Sequence, residues 1–221
     1  MSATILGSRF LSKKGQIFDE KIADALVESA KKAGKAEIKS VEKREIKIRP
    51  LPPFDLTSLQ VAASGAYGID PSRTLSIAQS LYERSYISYP RTSSQKLPKS
   101  LNLPRILEDL SKQGKFKEKA SALIQAKRFF PAEGKKEDEA HPAIFPTGEI
   151  PKKLTDEEVK IYDLITWRFL STFADYATLE TVKVVASIAG EEFEASGSKI
   201  VQNGWLSFYP YYKVKEVSLP S

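Results

Sequence analysis

The sequence predicts an α+β protein in which a mostly helical body is inserted into a β-rich one. Two observations carry that reading. Apolar residues recur at helical spacing through the middle of the chain, and at period two near both ends. A third is the pair of boundaries: prolines 50, 52 and 53 cannot continue a sheet, and the period changes again after the long helical pattern that ends near residue 176. The expected domains are residues 1–54 with 177–221, β-rich, and residues 55–176, helical. Neither end has enough strands to be stable alone, so the two are expected to pair.

The elements follow in order. "ATILGSRFLSKKGQIFDE" reads as one short strand and a Lys-Lys-Gly turn. In "DEKIADALVESAKKAGK", Asp19 can cap a helix whose Ile22, Ala25/Leu26 and Ser29/Ala30 share a face, with Gly34 as its stop. "AEIKSVEKREIKIRP" alternates, with Ile46 and Ile48 opposite Lys47 and Arg49, which predicts a half-buried strand. Asp55 or Thr57 can cap the next helix, running through Ala63 and closed by Gly65 and Gly68. Asp70 and Pro71 give a clear start to another, with Leu75, Ala78 and Tyr82 on one face and Ile77 and Leu81 on another. Two helices joined by a Gly-containing turn and followed by a β-prone segment suggest a helix-turn-helix with a wing. Residues 100–130 hold two helical patterns broken at Gly114. In "TDEEVKIYDLITWRFLSTFADYA", Thr155 and Glu158 form a capping box, and Val159, Tyr162, Ile165/Thr166, Phe169 and Phe173 line one face. "TLETVKVVASIAG", "EEFEASGSKIVQNG" and "WLSFYPYYKVKEV" read as three closing strands.

Composition narrows the function. With no cysteine and one histidine, neither a thiolate site nor a histidine-rich metal cluster can form. No apolar run is long enough to span a membrane, and no signal pattern opens the chain, so the cytoplasm is the expected compartment. The net charge of +6 permits a nucleic-acid partner without requiring one.

The chemistry concentrates in "SYISYPRTSSQKLP", residues 85–98. A free tyrosine titrates near pH 10, so as a nucleophile it needs positive charge beside it. Arg91 follows Tyr89 by two, and in an extended segment those positions share a face, where a guanidinium can grip two oxygens of a phosphate that the phenol attacks. Pro90 restricts both its own backbone and that of Tyr89. Taken alone, a Tyr-x-Arg pair is most often surface decoration, a lone histidine a satisfied loop or core residue, and "EDE" at 137–139 a solvated run.

Three segments together carry a resemblance. "YISYPRTSSQKLP" resembles the active-site segment of type IA DNA topoisomerases, "PPFDLTSLQVAAS" the stretch that leads into it, and "EDEAHPAIFPTGE" a later motif; the helix "EEVKIYDLITWRFLSTF" resembles the one that follows. These cover about residues 50–175, and "PRTS" and "AHPAI" lean towards archaeal-type members. The resemblance implies that Tyr89 is the nucleophile of a 5′-phosphotyrosine intermediate, Arg91 the holder of the scissile phosphate and His141 a histidine joining from a distant loop. Thr92, Ser93 and Arg73 are the expected DNA contacts. Phe145 stands where many bacterial members have arginine. Nothing here resembles the acidic, magnesium-binding Toprim domain. The chain therefore reads as the central part of a longer enzyme: a winged-helix, CAP-like nucleophile domain inserted into a barrel-like β arch. The resemblance implies magnesium held outside this chain, no ATP, single-stranded DNA as substrate, strand passage, and a location at the nucleoid. Two other readings are a non-catalytic, winged-helix-like nucleic-acid-binding module and a tyrosine recombinase. The recombinase motif places His-x-x-Arg before its tyrosine, whereas His141 follows Tyr89.

Overall fold

The computed structural model describes residues 2–5, 8–13, 19–217 and 219. The chain divides into two compact units. The sheet unit comprises residues 1–47, 178–202 and 214–221, and the helical unit residues 48–177 and 203–213. Among the described residues no helix is long and apolar enough to cross a membrane.

The sheet unit holds five strands in the order β1-β2-β5-β4-β3: β1 (Ser2–Ile5), β2 (Ser8–Ser12), β3 (Glu37–Ile48), β4 (Ala177–Ile188) and β5 (Glu191–Gln202). Where one strand was expected, the opening stretch thus supplies the antiparallel pair β1–β2, with Ala3 opposite Phe10; Lys14 and Gly15 of the expected turn lie outside the described residues. β4 and β5 form a long hairpin through Ala189 and Gly190, both at positive φ, as a tight two-residue connection requires. Helix α1 (Glu20–Ala33) starts at Asp19, whose carboxylate accepts from the Lys21 and Ile22 amides, and stops at Gly34 in the left-handed region. The small core gathers Phe10, Ala186, Ile188, Phe193 and Ala195. β3 is not half-buried: Ile46 is 49% exposed and only Ile48, its last residue, is partly covered. Alternation reports which face is apolar; it does not supply something to cover that face.

The helical unit is built from α2 (Leu56–Tyr67), α3 (Pro71–Glu83), α4 (Leu103–Ser111), α5 (Lys117–Gln125) and α6 (Asp156–Ser171). Asp55 caps α2 in a reciprocal box with Ser58; Gly65 lies inside that helix, and Gly68 ends it at positive φ. Asp70 caps α3 with Pro71 in the first turn, and Thr155 with Glu158 boxes the start of α6. α6 is the centre of the unit. Ile161, Leu164, Ile165, Phe169 and Leu170 are all fully buried, so it is covered nearly all round rather than along one face, while Val159 is exposed. Its Arg168 lies between the rings of Phe54 and Tyr209, 4.1 and 4.4 Å from their centroids, and donates to the Pro52 carbonyl and the Tyr209 hydroxyl.

Among the described residues the expected third closing strand is reduced to one isolated antiparallel bridge, Val217 to Ser198. Residues Gly204–Ser207 form a 3-10 turn, and Trp205 and Tyr209 are buried in the helical core. Trp205 Nε1 donates to the Ile48 carbonyl at 3.1 Å. Trp205, Tyr209 and Tyr212 recur at three-to-four spacing, which suits a turn better than a strand, and Pro210 removes a ladder donor.

Candidate active site

The site is assembled from two irregular segments that α4 and α5 separate along the chain. After α3, residues 86–95 run as an irregular segment; the second segment, residues 138–147, comes from far along the chain. They are laced together by backbone bonds. Ser88 N donates to the Phe145 carbonyl at 2.9 Å, Thr147 N to Tyr86, Ala143 N to Lys96 and Ile144 N to Phe54. Ser88 Oγ donates to the Ala143 carbonyl and accepts from the Phe145 amide. Phe145 is buried, so that position offers its side chain to the core and none to a phosphate.

This lacing brings Tyr89 and His141 into contact, with ring centroids 4.6 Å apart. Tyr82, from the last turn of α3, also meets Tyr89, edge-on at 5.2 Å. Arg91 is exposed in the same loop. Among the described residues neither the Tyr89 hydroxyl nor the Arg91 guanidinium has a hydrogen bond or ion pair. Both remain available to an incoming group.

The supporting polar contacts are specific. Thr92 is buried; its hydroxyl donates to the His141 carbonyl at 3.2 Å and accepts from the Ser94 amide at 3.0 Å, and its own carbonyl accepts from Leu56 N at the start of α2. Ser93 Oγ donates to Asp138 at 3.3 Å. Asp138 Oδ1 also accepts the Ala140 and His141 amides, both at 3.0 Å, and lies 3.8 Å from His141 Nδ1. Donation first from Ala140 N and then from His141 N holds the Asp138 carboxyl below its ordinary range. Thr92 and Ser93, expected as DNA contacts, therefore spend their hydroxyls inside the loop cluster.

Tyr86, the neighbouring phenol, is engaged. Its hydroxyl accepts from Lys152 N at 3.1 Å and Arg84 sits 5.0 Å from its ring centroid. That amide, followed by Arg84, draws its pKa down, against desolvation. Arg73 is not brought to Tyr89. Its guanidinium binds Glu157 at 2.9 Å, and it precedes Tyr82 by nine residues of α3, about 13 Å along the axis.

Asp138 and Tyr82 were not singled out for the site from the sequence. The available signals were a carboxylate three residues before His141, the spacing of a local cap, and an aromatic in the final turn before the Tyr89 loop. The carboxylates here do not fit a magnesium site: Asp138 is filled by N–H and O–H donors and Glu137 by Lys96. Among the described residues no group of three acidic or histidine side chains could hold a metal.

A family model described as DNA topoisomerase matches residues 3–221. A DNA topoisomerase 1 of Methanothermobacter thermautotrophicus is 44% identical over 209 residues, covering 95% of this chain and 29% of that protein. One from Pyrococcus horikoshii is 44% identical over 219 residues, covering 97% and 32%. A DNA topoisomerase 3 of Caenorhabditis elegans is 30% identical over 214 residues, covering 96% and 28%. The structure of full-length topoisomerase I from Thermotoga maritima matches with a TM-score of 0.67 at 22% identity, over 96% of this chain and 35% of that one, a likeness of fold. The chain thus spans about a third of the length of the relatives it matches.

Proposed function

This chain belongs to the type IA DNA topoisomerase family, and from that premise we propose that it is the central, nucleophile-bearing part of such an enzyme. Tyr89 attacks a phosphodiester of single-stranded DNA. The phenolic oxygen bonds to phosphorus as the bond to the 3′ oxygen breaks, giving a 5′-phosphotyrosine and a 3′-hydroxyl. A second strand passes, and the 3′-hydroxyl reverses the attack. The bond energy is kept in the phosphotyrosine, so no ATP is consumed.

The observation that carries this reading is the contact of Tyr89 with His141, with an exposed, uncommitted Arg91 two residues on. Arg91 grips the phosphate and neutralises the charge that the phenolate brings. The His141 ring packs on the phenol and sets its direction; Thr92, Ser93 and Asp138 hold the two loops in register. Arg73 is left out, because Glu157 already takes its charge. In finer detail, the helical unit is the winged-helix, CAP-like domain and the sheet unit part of a barrel-like arch. Magnesium belongs to acidic residues of a Toprim domain elsewhere in the longer protein, which works at the nucleoid in the cytoplasm. A purely DNA-binding module would have no need of a phenol left unbonded against an imidazole.

The decisive experiment uses the longer protein. Tyr89→Phe abolishes covalent capture of an oligonucleotide while binding is kept, and Tyr86→Phe leaves capture intact. An adduct that survives Tyr89→Phe overturns the assignment. The 221-residue chain alone binds single-stranded DNA and does not relax supercoils. Robust magnesium-dependent relaxation by it would show that the site is complete without the rest.

A further inference from the structure

An open groove of about 760 Å³ lies within the helical unit, lined by neither Tyr89 nor His141. One wall is the outer face of α2, where Val61, Ala62, Gly65 and Ala66 present nothing longer than valine. Val61 is 69% exposed, and solvent-facing helix positions are ordinarily filled by long polar side chains. The opposite wall is Tyr211, Tyr212 and Lys213, and Gln95 and Lys136 close one end.

Charge says what the groove takes. Its titratable lining is Asp55, Lys136, Arg168 and Lys213, together with the tyrosines. Asp55 is saturated: it accepts Ser58 N at 2.7 Å, Gln95 Nε2 at 3.1 Å and Lys136 Nζ at 2.9 Å, which also neutralises Lys136. Lys213 has no ion pair among the described residues. Arg168 is 7% exposed, binds only a carbonyl and a phenol, and its Nε has no hydrogen-bond partner. Lys213 is thus left without an ion pair, and Arg168, which feels the Asp55 charge but bonds no carboxylate, keeps an unpaired Nε, in a groove whose wall also carries an aromatic ring, Tyr212, 40% exposed and propped by Trp205 at 5.0 Å.

We propose that this groove is a further binding site for single-stranded nucleic acid, with a phosphate near Lys213, a base on the Tyr212 ring and the sugar-phosphate backbone lying close against the small residues of α2. Cations that track a backbone, combined with an exposed aromatic platform, bind single strands with little sequence preference. The route from the reacting phosphate is short. The loop from Tyr89 to Gln95 spans at most about 22 Å even if fully extended. Thr92 within it is tied to Leu56 and Gln95 to Asp55, at the head of α2. The groove thus takes nucleotides flanking the one at Tyr89. The inference rests on the proposed function for its class of ligand, not on the tyrosine's chemistry.

The test is anisotropy of a fluorescein-labelled oligothymidine of about twelve nucleotides with this chain. Tyr212→Ala weakens binding by about tenfold. Lys213→Gln weakens it and lowers the salt slope by about one. Val61→Glu and Val61→Lys make equal demands on folding at an exposed position, so they separate charge from structure: the glutamate weakens binding and the lysine does not. Failure of all groove variants to alter affinity, or no binding by the parent chain, overturns the site. If both Val61 variants weaken binding equally, charge is not read there and the assignment also falls. Covalent capture by Tyr89 in the longer protein is read separately and stands or falls on its own.

Discussion

In the helical unit α6 is buried on nearly every side, whereas in the sheet unit the twelve-residue β3 is exposed along all but its last residue. Both segments carry regularly spaced apolar residues. The difference lies in partners. The helical unit surrounds α6 with α2, α3 and the turn at Gly204–Ser207, and it pairs its buried carboxylates internally: Asp55 with Ser58 and Lys136, Glu158 with Ser80 and Arg84, Asp163 with Lys115. β3 leaves Ile38, Val41 and Ile46 about half exposed. The Tyr89–His141 contact therefore belongs to a unit that supplies its own core, while part of the sheet's apolar surface has no cover among the described residues.

The largest effect should come from the centre of that core. Phe169 is fully buried and edge-on to Phe173 at 5.1 Å. Phe169→Ala is expected to cost about 3–5 kcal/mol. Both tryptophans, Trp167 and Trp205, lie in the helical unit, so denaturation followed by tryptophan fluorescence reads this unit specifically. A loss below about 1 kcal/mol would mean that the burial around α6 is not what stabilises it.

That contrast also explains what the sequence disclosed. The caps at Asp55, Asp70 and Thr155–Glu158 were legible because each bond spans three residues. The family resemblance singled out Tyr89 and His141, but no local pattern says that their rings touch. The lacing through Ser88, Ala143 and Phe145 joins segments more than fifty residues apart. Arg73 was expected as a DNA contact, and its partner Glu157 is 84 residues away, beyond any spacing rule. The last aromatic run was taken for a strand because period two and period three-to-four overlap in a short segment, and only the helical core decides between them.

A smaller effect is expected from Glu158, and it depends on pH. The Thr155 amide, together with Ser80 and Arg84, holds its carboxyl below the ordinary range, against desolvation. The folded pKa is thus below the unfolded value of about 4.3, so this stabilisation is full near neutrality and lost as pH falls through the folded pKa. Glu158→Gln should cost about 1 kcal/mol near pH 7 and flatten the acid limb of the tryptophan-monitored stability curve. An unchanged acid limb would assign the acid sensitivity to other carboxylates.

The smallest effect tests the other half of the comparison. Ile46 lies on β3, 49% exposed. If nothing in this chain covers it, Ile46→Lys should change stability by no more than about 0.5 kcal/mol, measured by far-UV circular dichroism during denaturation, and should leave the tryptophan midpoint in place. A buried isoleucine replaced by lysine would instead cost several kcal/mol, because the ammonium would lose its water. A loss of that size would show that the apolar side of β3 is covered in solution. In the longer protein proposed above the same substitution carries more information: destabilisation there, with none in this chain, would identify β3 as a surface that the rest of that protein packs against.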